Sequence, residues 1–125
     1  MFNRLISWVL PHMPQTLVWL VSKEYIAGET IGDAIGAARE LKREGMGSTI
    51  DLLGEFITDL DQAQENKTAY LSIIDAVNAA GIDGNYSLKP TFFGLLLDRE
   101  AAYAHIREVV QKADSLGHFV RIDME

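Results

Sequence analysis

The sequence contains no cysteine. That excludes a disulfide framework, thiolate chemistry and any cysteine-based zinc site, and it is compatible with a reducing compartment. Positive charge is in short supply: 11 Lys and Arg stand against 18 Asp and Glu, a formal net charge of −7. Nonspecific nucleic-acid binding needs a basic stripe that displaces counterions from phosphate, so a nucleic-acid partner is set aside. Only three histidines occur, His12, His105 and His118, and they show no ligand spacing; no metal site is expected. Long hydrophobic runs are also lacking. Leu5 to Val21 is apolar and holds Trp8 and Trp19, but Pro11, His12, Pro14, Gln15 and Thr16 break it in two. Neither piece reaches the roughly 20 residues that span a bilayer. No small-residue cleavage site follows to make it a signal peptide. Two short helices packed on the body are expected over 2–10 and 15–26, with a surface facing a membrane or partner chain as the alternative.

What is present is ordinary for a globular domain: 48% hydrophobic and 23% charged residues in a chain of 125. Ile31, Ala34, Ile35, Ala38 and Leu41 recur at helical spacing. Thr30 reads as the N-cap, with Asp33 three residues on, and Lys42, Arg43 and Gly45 mark the end. Gly28, Gly32 and Gly36 are spaced by four, but the charges on this helix favour close packing over membrane dimerisation. Ser48 to Gly54 reads as a buried strand bounded by glycine. Asp59 to Ala80 reads as a long helix with Tyr70, Ile73, Ile74 and Val77 on one face and a solvated stretch from Asp61 to Lys67. Tyr86 to Lys89 is expected to be a second strand. Asp98 to Leu116 is a further helix with Ala102, Ile106, Val109, Val110, Ala113 and Leu116 inward and Gly117 as its cap. His118 to Glu125 reads as the third strand.

Three strands separated by helical crossovers imply a parallel sheet, the α/β class. Side chains alternate across a strand. Val120, Ile122 and Met124 therefore oppose Arg121, Asp123 and Glu125; Ile50 and Leu52 oppose Asp51, Leu53 and Glu55; Tyr86 and Leu88 oppose Ser87 and Lys89. An open doubly covered sheet is apolar on both faces. One charged face points instead to a barrel interior, whose C-terminal mouth holds the active site. An internal salt-bridge network and a substrate site both remain open readings of these charges. A full eight-unit barrel takes roughly 250 residues. The chain is thus expected to be the front of a longer protein: the first three βα units of a (β/α)8 TIM-type barrel, with helices over 1–45 and strands 1–3 within 46–125.

The smaller motifs carry little. Gly45-Met46-Gly47 precedes a strand and lacks the third glycine of a dinucleotide fingerprint. Asp59 and Asp61 lack the rest of a calcium loop. Asn66-Lys67-Thr68 and Asn85-Tyr86-Ser87 match the glycosylation acceptor at chance level. Ser87 has no histidine near it in sequence, so nucleophilic catalysis has no support.

Three segments, in order and at this spacing, are more specific: TIDLLGE (Thr49–Glu55), NYSLKPTFFGL (Asn85–Leu95) and FVRIDME (Phe119–Glu125), with EYIAGET (Glu24–Thr30) ahead of them. Together they resemble proline dehydrogenase, the flavin-dependent enzyme of proline catabolism, in its monofunctional bacterial form. The resemblance implies a distorted barrel that holds FAD and oxidises L-proline to Δ1-pyrroline-5-carboxylate. In that oxidation hydride passes from the ring carbon next to nitrogen to flavin N5, and electrons then go on to a membrane quinone. It places the family's substrate-binding lysine on Lys89 and the aspartate of its polar network on Asp123, both on the charged face. A cation suits the proline carboxylate, and a carboxylate can hold cationic groups in place. The family's later strands, with most FAD contacts, and its pair of substrate-clamping arginines have no counterpart in these 125 residues, so no cofactor-binding residue is assigned. The chain alone is expected to be inactive, and its location cytoplasmic, with peripheral contact to the inner membrane face through the quinone. The competing expectation is a non-catalytic α/β module that self-associates or docks on another protein.

Overall fold

Helix and strand alternate throughout the part that the computed structural model describes, residues 27–54 and 57–124. The helices expected over 2–10 and 15–26 lie outside it, as do Glu55 and Glu125. Helix α1 (Ile31–Arg43) begins where the sequence places its cap. Thr30 Oγ1 accepts from the Asp33 N–H, and the Asp33 carboxylate accepts from the Thr30 N–H, a reciprocal capping box. The Thr30 hydroxyl, which also donates to Asp33, is the main cause that holds this carboxyl below its usual range.

Then come β1 (Ile50–Asp51), α2 (Leu60–Ala79), β2 (Asn85–Leu88), a 3-10 turn (Pro90–Phe93), α3 (Arg99–Ser115) and β3 (Phe119–Ile122). Asp59 and Asp98 cap α2 and α3 by accepting from backbone N–H groups of the first turn. Gly117, with a φ of 71°, lets the chain leave α3 through the left-handed region. The sheet is parallel in the order β1-β2-β3, as the helical crossovers require. Tyr86 and Leu88, on one face of β2, are fully buried against Tyr70, Ile74 and Val77 of α2 and Ala102, Val109 and Ala113 of α3. Each large apolar side chain buried this way contributes about 1.5–3 kcal/mol before entropy is counted.

The structure corrects the element boundaries at the strands. β1 pairs with β2 over two residues, not over Ser48 to Gly54; beyond Asp51 the Leu52 N–H is bonded to the Tyr70 hydroxyl at 3.2 Å. β2 starts one residue earlier than expected and stops before Lys89, because Pro90 offers no N–H to extend a ladder and holds Lys89 extended at φ −103°, ψ 118°. β3 ends at Ile122. The stretch Asp61 to Lys67 is not wholly solvated: Ala63 is fully buried, and Lys67 is buried in an ion pair with Glu108 at 2.7 Å. Ile122 and Met124, expected under a helix, are 43% and 90% exposed, since no described element covers the far edge of β3.

Candidate active site

The polar side chains gather at the C-terminal ends of the strands. Asp51 stands opposite Ser87, and Ser87 opposite Arg121, so the three share one face of the sheet as side-chain parity requires. Two residues further on, the same parity reaches Lys89 and Asp123. The Asp123 N–H donates to the Leu88 carbonyl at 2.9 Å, which carries the β2–β3 ladder one rung past β3 and fixes the aspartate backbone. Its carboxylate is held from two sides. Ser87 Oγ donates to Oδ2, and Arg121 Nε donates to Oδ1 at 2.8 Å. The Ser87 hydroxyl, foremost, keeps the carboxyl below the usual range; partial burial opposes this, while the Arg121 bond and the charges of Arg121 and Lys89 assist. Asp123 is thus an anion at neutral pH, within the field of a lysine on the neighbouring strand end.

Lys89 is half-buried and caps the 3-10 turn. The turn is held firmly. The Phe92 N–H donates to the Lys89 carbonyl at 3.0 Å, and Asn66 Nδ2 of α2 donates to the Phe92 carbonyl at 2.8 Å. Phe92 and Phe93 are buried in the core. Gly94 closes the turn at a φ of 93°, where a Cβ would also stand 3.2 Å from Leu60 Cδ2. The residues around Lys89 therefore fold back into the core, which leaves the lysine at the sheet's C-terminal end.

A cleft of about 760 Å³ opens at the other end of the strands, beside Gly47, Ser48, Gly84, Asn85 and His118. None of the charged residues just described lines it. There a ring nitrogen of His118 lies 2.9 Å from the Tyr86 hydroxyl, a packing role for this histidine. Among the described residues, no three His, Asp or Glu side chains are grouped to hold a metal ion. No described helix is long and apolar enough to cross a membrane.

The structure brings Lys89 and Asp123 to the same end of adjacent strands; Glu55 and Glu125 lie outside the described residues. The sequence places Ser87 and Arg121 on the charged face and offers Ser87 no histidine partner, but it does not link either to Asp123. Their bonds to Asp123 depend on register, which a single sequence does not show. Tyr70 was read only as core. Its place on the inward face of the helix with Ile73, Ile74 and Val77 is the available signal, because a tyrosine expected in the core needs a hydrogen-bond partner.

No family model matches the chain. It is 33% identical over 111 residues to the proline dehydrogenase of Deinococcus radiodurans, which covers 86% of this chain and 36% of that protein. With proline dehydrogenase 1 of Bacillus subtilis strain 168 it shares 33% identity over 106 residues, 85% of this chain and 35% of the relative. The structure of proline utilization A from Bdellovibrio bacteriovorus, inactivated by N-propargylglycine, superposes with a TM-score of 0.71 at 22% identity, over 80% of this chain and 13% of that one. That likeness shows a shared α/β fold with a parallel sheet. The chain spans about a third of the length of the curated relatives it matches. Within that span it is a homologue of the proline dehydrogenases.

Proposed function

We propose that this chain supplies the first three βα units of a proline-oxidising barrel, with 46–125 as its strand-bearing part. The full reaction is FAD-dependent oxidation of L-proline to Δ1-pyrroline-5-carboxylate, with electrons passed to a quinone at a peripheral membrane contact. The observation that carries this reading is the bonded set of Ser87, Arg121 and Asp123 at the C-terminal strand ends, with the Lys89 charge acting on it. Active sites of parallel barrels sit at that end. Homology to the proline dehydrogenases supplies the substrate class.

Lys89 binds the proline carboxylate as a charge-assisted partner. Asp123, kept ionised by Ser87 and Arg121, holds the neighbouring cationic groups in orientation and is a polar wall of the substrate site. The flavin, when bound, supplies the oxidant. Among the described residues no glycine-rich cradle stands at this end of the sheet, and Gly45-Met46-Gly47 lies at the opposite end. The role assigned to Lys89 and Asp123 is on the substrate, and no flavin-binding residue is assigned.

The test uses the intact protein from its source cell, with its mass measured first. Addition of proline is expected to bleach the flavin absorbance, and Lys89→Met to weaken the response to proline by about tenfold or more. Flavin that stays oxidised under saturating proline would sink the reading. The 125 residues alone are expected to be catalytically silent. A second reading, self-association, is favoured by the exposure of Phe119 (62%), Ile122 and Met124 along the edge strand. Light scattering that shows a monomer at high concentration would end it.

A further inference from the structure

Tyr70 belongs to an outer helix, yet its hydroxyl lies at the strand ends. It accepts from the Leu52 N–H at 3.2 Å and donates to the Ser87 carbonyl at 2.7 Å. One buried group therefore joins the chain leaving β1 to the last turn of β2. Asp51 Oδ1 lies at 3.5 Å, a marginal contact, so the single phenolic proton is committed to Ser87. Burial is the main influence on this hydroxyl and raises its pKa, which keeps it protonated as a donor. The ring of Tyr70 is engaged as well. It packs edge-on to Phe92 with centroids 6.4 Å apart, and against Phe93 at 5.5 Å.

In sequence, Ser87 lies two residues before Lys89, and Phe92 and Phe93 three and four residues after it. Tyr70 therefore grips the chain on both sides of the lysine, by a hydrogen bond ahead of it and by ring contact behind it. The same carbonyl-bearing residue, Ser87, sends its hydroxyl to Asp123. We infer that Tyr70 is the positioning residue of the proposed substrate site, setting where Lys89 and the Ser87–Asp123 pair stand relative to one another. This inference rests on the proposed proline reading.

The experiment compares Tyr70→Phe with Val109→Ala in the intact protein. Val109, on α3, is fully buried and makes none of the hydrogen bonds or ring contacts named above, so its truncation tests a general loss of stability. Two quantities are read: exchange of the Leu52 amide relative to that of Ile74, and the Kd for L-proline by calorimetry. In Tyr70→Phe the Leu52 amide is expected to exchange about tenfold faster relative to Ile74, and proline to bind about tenfold more weakly. Val109→Ala should leave both quantities near wild type despite a lower melting temperature. Unchanged Leu52 protection in Tyr70→Phe, or a proline Kd shifted no more than in Val109→Ala, overturns the inference. A wild-type protein that fails to bind proline overturns the proposed function instead, and Leu52 exchange then decides alone whether Tyr70 holds the strand ends.

Discussion

The two faces of the sheet are made by alternate residues of the same short strands, yet they obey different rules. On the outward face of β2, Tyr86 and Leu88 are sealed under α2 and α3, and apart from the Tyr86 hydroxyl at His118 their surroundings are apolar packing. On the inward face Ser87 is just as buried, at 2% exposure, but it answers to a carboxylate. Each side also has an ion pair. Lys67 and Glu108 clip α2 to α3 at 2.7 Å, with the lysine side chain 11% exposed. Arg121 and Asp123 meet at 2.8 Å at the strand ends, with side chains 53% and 35% exposed. The outer pair joins two helices. The inner pair shares its carboxylate with a buried hydroxyl and lies within the field of Lys89. The difference teaches that charge on this molecule ties elements together where it links helices and gathers at the candidate site where it lies at the strand ends.

Breaking the outer face should have the largest effect. Phe93 is fully buried between the turn and α2, so Phe93→Ala is expected to cost about 3–5 kcal/mol, read as a lower urea midpoint. Because that residue also anchors the turn after Lys89, loss of stability and loss of proline binding should come together. A midpoint unchanged by the truncation would show that the turn does not rest on the core. The helix clip should matter less. Glu108→Gln leaves the Lys67 ammonium with a neutral acceptor, at a cost of about 1–2 kcal/mol by the same measurement, and proline binding should be untouched. A large effect on binding would erase the distinction between the two pairs.

The smallest change in stability, and the sharpest test of the comparison, is Asp123→Asn. The folded carboxyl is held below its ordinary value of about 3.9, so its contribution to stability is complete above that pH and disappears as pH falls through the folded value. The melting-temperature difference between wild type and Asp123→Asn should therefore be present at pH 7 and shrink as the pH is taken below about 4. Proline binding should be impaired at pH 7 even where the fold is intact. A difference independent of pH would mean that the carboxylate is not held by its neighbours.

Much of this was legible in the chain itself. Helix limits were written in local chemistry: Thr30 and Asp33 close a capping box, Asp59 and Asp98 are caps, and glycines terminate the helices. Strand parity placed Asp51, Ser87 and Arg121 on one face, and register confirmed it. Strand limits were less legible, because they depend on what a neighbour offers. β1 stops where a tyrosine from α2 takes its next N–H, and no local pattern announces a partner 18 residues away. The same holds for the site. Lys89 and Asp123 are singled out by the family resemblance, whereas the serine bonded to Asp123 and the phenol bonded to Ser87 are consequences of tertiary placement.

The turn after β2 also bears on how such a site can change over time. Pro90 to Phe93 is anchored at Asn66, closed by Gly94 and sealed by two buried rings, so its length is fixed. An inserted residue there would pull a phenylalanine from the core and swing Lys89 with it. Immediately downstream the constraint lifts: Leu95, Leu96 and Leu97 are 37%, 73% and 46% exposed before α3 begins. Variation in loop length, and with it new substrate shape or new surface contacts, has room to accumulate at Leu95–Leu97 while the lysine keeps its station.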